Sequence, residues 1–422
     1  MITSTVAVLF LALGAQSGHP AGAPEPQREG TCIVCHGTER VLLERGVHAT
    51  AGLTCVSCHG GDPTAIEAAA AHALDFHALS DPLASVASCG DCHSDVQRMG
   101  ASGLRTDQLE LYRLSPHGAV LFETGNPDVA TCSACHGTHE IRHAQDPTSS
   151  VHPLNQPATC GACHSDAERM EPYGLPTDAV ELYTRSVHGR AVADGLLSSP
   201  ACSDCHGHHG ALPPRVENAE QVCGHCHSVV REQYQKSRHF EVDPPVQCAT
   251  CHGNHLVLPP SGSALLGEGP GACSSCHTNP DDPARGVALG MHEDLARFEE
   301  LVEATDRTAR KAGQRGLYLD REIGFLSDAR EVLVRGRTLT HTASRADLDD
   351  LLNRGQGMVG QTEDSLGKLS RLDRDRRIFT AAFFALTIAL AIMLLMYARE
   401  IRGTSSSSVR HPRGTKESGD GR

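Results

Sequence analysis

Eighteen cysteines are spread along the chain, and every one belongs to a Cys-x-x-Cys-His motif. The nine motifs are Cys32/Cys35/His36, Cys55/Cys58/His59, Cys89/Cys92/His93, Cys132/Cys135/His136, Cys160/Cys163/His164, Cys202/Cys205/His206, Cys223/Cys226/His227, Cys248/Cys251/His252 and Cys273/Cys276/His277. This is the attachment signature of c-type haem: two thiols add across the two vinyl groups, and the next histidine becomes the proximal iron ligand. Paired cysteines also build tetrahedral zinc sites, but those do not demand a histidine at the next position nine times over. A disulfide framework is the other alternative for an exported chain. The invariant histidine favours nine covalently attached haem c groups, and with all thiols committed no disulfide remains to staple the fold.

That expectation accounts for the composition. Aromatic residues make up only 4% of 422 residues and tryptophan is absent, too little for an ordinary core of this length. Porphyrins would supply the missing apolar bulk, so the chain should not fold without them. The expected fold class is mainly α with much irregular loop and short helices. The net charge of -14 argues against nucleic acid and suits either basic redox partners or simple solubility.

Residues 1–15 read as a signal peptide, with an apolar run from Val6 to Leu13 followed by Gly14 and Ala15. Residues 16–30 read as a flexible leader, and 31–280 as the haem-bearing domain. Residues 284–377 read as a helical stalk, and 398–422 as a cytoplasmic tail. Between the last two, residues 378–397 carry no charge and are long enough to cross a bilayer as a helix. Arginines flank this segment on both sides, so charge does not orient it. Haem c attachment does, because it takes place on the outer side of the inner membrane.

The motifs repeat in pairs. Each copy opens with Cys-x-x-Cys-His-Ser, passes through a tyrosine to a Ser-x-His, and closes with Cys-x-x-Cys-His-Gly-x-His. The first complete copy contains His93, Tyr112, Ser115, His117, His136 and His139; the second contains His164, Tyr183, Ser186, His188, His206 and His209. A shorter third contains His227, Tyr234, Ser237, His239, His252 and His255, and a degenerate copy around His36, His48 and His59 precedes them all. The terminal Cys273 motif completes the nine.

Recurrence selects distal iron ligands. His48, His117, His188 and His239 hold one equivalent position, and His139, His209 and His255 another. The latter three lie too close to their own motif to reach its far face, so each is expected to bind a neighbouring haem. Two irons then remain. Asp62 stands where the first pair should have a His-Gly-x-His histidine. His72 and His77 on the segment 65–79 are the best candidates, with His292 or His143 next and His208, His225 and His152 weaker; of these His77 and His292 are chosen.

These motifs resemble those of periplasmic multihaem cytochromes c: the cytochrome-c7-like and decahaem electron-conduit proteins and the octahaem tetrathionate-reductase-like group. The resemblance spans residues 30–280 and implies bis-histidine, low-spin haems in closely stacked pairs. The chain departs from ammonia-forming nitrite reductases in having no Cys-x-x-Cys-Lys motif.

Past Pro283 the cysteines stop. Met291, Leu295, Phe298 and Val302 form a helical stripe; Leu319, Ile323, Leu326, Ala329 and Leu333 form another, and Leu348, Leu352, Val359, Leu366 and Leu369 a third. Breaks are expected at Gly313/Gly316 and at 336–343. Two or three antiparallel helices should therefore lead into the membrane segment, with His292 or His341 positioned to cap a haem.

The favoured function is a membrane-anchored electron relay serving redox-partner proteins of the periplasm or inner membrane. One alternative is a reductase of a small nitrogen or sulfur compound at a five-coordinate haem. The other is a quinol dehydrogenase, although the membrane segment holds no ionisable residue for a proton relay.

Overall fold

A computed structural model describes residues 30–73, 75–212, 219–259 and 272–405. The signal peptide, most of the leader and residues 406–422 lie outside that range. The described residues are mainly helical, with no strand among them. The chain divides into two compact units: residues 1–226 with 247–261, and 227–246 with 262–422. This division falls earlier than the composition change at Pro283.

The first unit consists of short helices and loops, as expected of a chain with few aromatics. Its apolar core is one small cluster of Val86, Tyr112 and Leu121. The motifs sit at helix ends. In both complete copies the first motif closes a longer helix, Pro82–His93 or Gln156–His164, and the second forms a single turn, Cys132–His136 or Cys202–His206. After that turn Gly137 and Gly207 take φ of 82° and 81°. Only glycine adopts this region without cost, and it swings the following His-Gly-x-His histidine away from its own motif.

The Ser-x-His-Gly segment has an equally local cause. Ser115 and Ser186 are fully buried N-caps whose hydroxyls accept from the Gly118 and Gly189 amides at 3.1 and 3.0 Å. A Cβ at either glycine would overlap the carbonyl of Tyr112 or Tyr183. Those tyrosines pin the next motif in turn. Tyr112 donates to the Ala130 carbonyl at 2.9 Å and Tyr183 to the Pro200 carbonyl at 3.0 Å, each two residues ahead of a motif cysteine. In the third copy, within the second unit, Tyr234 donates to Val246.

The second unit is built on three antiparallel helices: α1 (Pro283–Gln314), α2 (Asp320–Leu339) and α3 (Arg345–Ser405). Their breaks fall where the glycines suggested, with Gly316 at φ 86° and Ala343 at φ 54°. Met291, Leu295, Phe298 and Val302 from α1 interlock with Ala329, Val332 and Leu333 from α2 and with Leu348, Leu352 and Val359 from α3. Ile323 departs from its expected stripe and is exposed. Gly355 lets α3 approach so closely that the Phe298 ring occupies the space a side chain would need.

The third stalk helix and the apolar segment are one uninterrupted rod of 61 residues. Its apolar stretch has a mean hydropathy of 2.6 and is exposed throughout, so it is long and apolar enough to cross a membrane. Just before it, buried Asp373 pairs with Arg376 at 2.9 Å and Arg377 at 2.8 Å, and Arg377 also reaches the Arg315 carbonyl in the α1–α2 turn. The opposite end of the bundle carries the turn Thr340–Thr342, against which the helix Ser228–Tyr234 packs.

Candidate metal centres

Seven motif histidines each face a second histidine ring. In the first motif of a copy, His93 faces His48 with ring centres 6.1 Å apart and His164 faces His117 at 6.0 Å. The terminal motif follows the same rule, with His277 facing His239 at 6.2 Å. In the second motif, His59 faces His139 at 6.1 Å, His136 faces His209 at 6.1 Å, and His206 faces His255 at 5.9 Å. His36 faces His72 at 6.1 Å.

The separation has a direct chemical meaning. Two metal–imidazole bonds of about 2.0–2.1 Å, plus about 1.2 Å from each nitrogen to its ring centre, span about 6.4 Å. Packed aromatic rings range over roughly 4.5–7 Å, so one such pair would be unremarkable. Seven pairs between 5.9 and 6.2 Å, each joining a motif histidine to one outside any motif, fit a single iron between two imidazoles. Among the described residues no group of three or more His, Cys, Asp or Glu donors is gathered at one point.

Direction along the chain is equally regular. A first motif takes its partner from the Ser-x-His of the preceding copy, and a second motif from the His-Gly-x-His of the following one. His139, His209 and His255 thus face the preceding copy and not the motif beside them. Backbone bonds brace the same stagger: the Val47 amide donates to the Ile141 carbonyl and the Val187 amide to the Val257 carbonyl, both at 2.8 Å. The two classes also differ in ring orientation. Planes in first-motif pairs cross at 56° and 57°, whereas second-motif pairs lie within 28° of parallel.

Burial, joined in several cases by the facing imidazole, pushes the pKa of His48, His93, His117, His136, His164, His206, His209 and His255 below the ordinary value. Neutral imidazole is the form that donates to a metal. Some motif rings are also oriented from behind. His59 Nδ1 donates to the His77 carbonyl at 2.9 Å, and His277 Nδ1 lies 2.8 Å from Asp282 Oδ2. Such contacts fix the tautomer and the ring plane.

All eighteen cysteines are free thiols, and those of seven motifs lie near one another in chain order. Within copies the thiols of Cys89 and Cys132, Cys160 and Cys202, and Cys223 and Cys248 are hydrogen-bonded. Between copies Cys58 lies close to Cys89 and Cys92, Cys135 to Cys160 and Cys163, and Cys205 to Cys223 and Cys226. Seven successive motifs, from Cys55 to Cys251, are therefore linked thiol to thiol.

Two sequence expectations are redrawn. His72, not His77, faces His36; His77 is exposed and serves His59 through its backbone. Asp62 leaves no gap in the first pair, since His139 faces His59, and its carboxylate instead holds the Thr64 amide and hydroxyl. Cys35 ends the four-residue helix Cys32–Cys35 and is exposed, as Cys58, Cys205, Cys223, Cys226, Cys251 and Cys276 are.

The remaining candidates are placed as follows. His292 is exposed on α1. His143 and His152 accept backbone amides through Nδ1, from Gln145 and Leu154. His72 lies in the alanine-rich run 68–73, outside any repeated motif, so recurrence does not separate it from His77.

No family model, curated protein or solved structure matches the chain.

Proposed function

We propose that the chain is a membrane-anchored multihaem c-type cytochrome, relaying electrons on the outer side of the inner membrane through nine haem c groups. The observation that carries this reading is the set of seven histidine pairs at one common separation, each joining a motif to a histidine outside it. When bound, haem c supplies reversible one-electron uptake at its iron. The chain's own residues would do the rest. Facing imidazoles would fill both axial positions, giving low-spin centres. Half-burial keeps those imidazoles neutral, and thiols in contact from copy to copy would hold the cofactors in a closely spaced file.

The reductase alternative loses its main support, because Asp62 no longer marks an open iron site. The quinol alternative is weakened by the stalk. From Arg345 to Ile378 α3 rises about 50 Å at 1.5 Å per residue, and His277, Asp282 and the helix after His227 all lie at the bundle end away from Ile378. The acidic surface suits a basic partner protein.

The test is made on the full chain in detergent, produced with haem c maturation. Mass spectrometry should find nine thioether-linked haems. Ferric protein should give low-spin electron paramagnetic resonance (EPR) signals, and reduced protein should bind no stoichiometric carbon monoxide. Incomplete haem loading of a folded chain, or a strong high-spin signal with carbon monoxide binding, would overturn the relay reading.

A further inference from the structure

We propose that the end of the helical bundle nearest the apolar segment binds anionic phospholipid, through the α1–α2 turn and the arginines of α3 just before Ile378. Tyr318, in that turn, would lie at headgroup level and give the bundle a second contact with the bilayer beside α3. This rests on the reading that the apolar segment lies in a membrane.

The level of the turn comes first. Arg377, one residue before the apolar segment, donates through Nη2 to the Arg315 carbonyl at 3.4 Å. The same end of the bundle is closed by Ala309, Ala312 and Leu319 packing on Leu326 and Leu366. The turn is therefore held beside the point where α3 becomes apolar.

Charge singles out this end. Residues 310–322 and 371–377, which meet here, hold eight basic and four acidic side chains. Residues 282–294 and 337–350, joined at the other end by Arg345 and Asp294, hold three basic and six acidic ones. The positive excess also runs against the chain's overall charge of -14. Two of the four acids are engaged within the bundle: Asp373 is buried between Arg376 and Arg377, and buried Glu322 accepts from Ser365. Arg371 lies about 10 Å from Ile378 along the rod, so these charges act on a bilayer surface within about one Debye length.

The exposed surface has the matching chemistry. Tyr318 is 80% exposed, the highest value of any large apolar or aromatic side chain among the described residues, and its hydroxyl donates to Asp320. Tyrosine is favoured at membrane surfaces because its ring is apolar and its tip polar. On α3, Arg376, Arg377, Thr380, Ala381 and Phe384 border an open groove of about 480 Å³. The groove is cationic at one end and apolar at the other, the complement of a phosphodiester carrying an acyl chain. Asp373 orients both guanidiniums at its cationic end, and each guanidinium has five N–H donors, more than these contacts use.

The full chain, loaded with haem, is tested for retained lipid by native mass spectrometry in detergent. The parent should keep phosphatidylglycerol in preference to phosphatidylcholine, and the preference should fade as salt rises. Lys311→Gln/Arg315→Gln/Arg371→Gln removes three exposed cations and leaves the Asp373 pairs in place. Each cation at an anionic surface contributes roughly fivefold in affinity, so binding should weaken on the order of a hundredfold with an unchanged far-UV melt. If the triple variant does not accumulate, Arg315→Gln decides, with a loss of roughly fivefold. The chain has no tryptophan, so Tyr318→Trp supplies a single emitter in nanodiscs containing phosphatidylglycerol. Brominated acyl chains should quench it, and should not change Val334→Trp, which is exposed about 21 Å along α2 from Asp320. Equal retention of the two lipids by the parent, or parental retention by the charge variant, overturns the lipid site. Emission from Tyr318→Trp that bromination leaves unmoved overturns the contact by the turn. A parent chain that does not enter nanodiscs would instead sink the membrane reading.

Discussion

Replacing Asp282 with asparagine should raise the potential of the haem attached at Cys273 and Cys276 while leaving the bundle intact. His277 Nδ1 lies 2.8 Å from Asp282 Oδ2, and the hydrogen bond from His277 holds this carboxyl below its ordinary pKa. A carboxylate behind the proximal imidazole makes it more basic and favours ferric iron. A hydrogen bond to a charged acceptor is roughly twice as strong as one to a neutral acceptor, so the exchange weakens the pull on the imidazole proton. For a one-electron couple tenfold is about 59 mV, and an upward shift of up to a few tens of millivolts is expected. The figure is an upper bound, because the two side chains are 33% and 29% exposed and water screens them. Asp282 also caps α1, its Oδ1 accepting from the Ala284 amide at 2.9 Å. Asparagine caps as well as aspartate does, so the helix should melt where the parent does. Redox titration followed by EPR should find one component displaced upward and the others fixed. An unmoved or lowered potential, with the far-UV melt unchanged, would refute a role for this carboxylate in tuning iron.

Four further outcomes are expected. Because His209 faces His136, the double variant His136→Ala/His209→Ala should disturb one iron and His206→Ala/His209→Ala two; equal counts by EPR would break the cross-copy rule. The ring-plane angles predict two low-spin populations in the ferric spectrum, one from the strongly tilted first-motif pairs and one from the near-parallel second-motif pairs, and a single homogeneous signal would contradict them. Phe298→Ala, at a side chain 1% exposed, should destabilise the bundle by about 3–5 kcal/mol in denaturant unfolding followed by far-UV circular dichroism. Around Asp306 burial raises the carboxyl pKa, but hydrogen bonds from Arg310 and Arg330 outweigh it and the net shift is downward. Its contribution is therefore present above the unfolded carboxylate value of about 3.9 and lost as pH falls through the lower folded one, so the stability gap between the parent and Asp306→Asn should close in acid.

Much of this was legible because each repeated residue has one local job. Ser115 and Ser186 recur as caps, Tyr112 and Tyr183 as pins on the next motif, and Gly137 and Gly207 as left-handed turns that redirect the following histidine. The stalk stripes were equally readable, since Met291 to Val302 bury one helix face through simple periodicity. What could not be read was pairing across distance. Nothing in the segment 65–79 distinguishes His72 from His77; the choice is made by the fold, which turns one ring toward His36 and uses the backbone of the other to hold His59. Ile323 fails as a core residue for a similar reason: period alone does not say which flank of a stripe meets a neighbour.

The stagger of ligands also bears on how such a chain holds together. On the proposed reading, copies whose motif histidines face a histidine of the next copy in one direction and of the previous copy in the other would not complete their sites alone, and would couple to nearest neighbours as solenoid repeats do. With an apolar core in the first unit as small as Val86, Tyr112 and Leu121, coordination would have to supply much of the cohesion that side-chain burial supplies elsewhere. The bundle follows the other logic, with an interdigitated apolar interior and a continuous α3 running into the apolar segment. On the proposed reading the two designs answer different demands. The first keeps irons in file with few residues, and the second keeps the terminal Cys273 motif of its own unit about 50 Å along α3 from the apolar segment. Electrons would then be exchanged with a protein that docks from solution rather than with a carrier dissolved in the membrane. Docking of that kind on an acidic surface should slow as ionic strength rises.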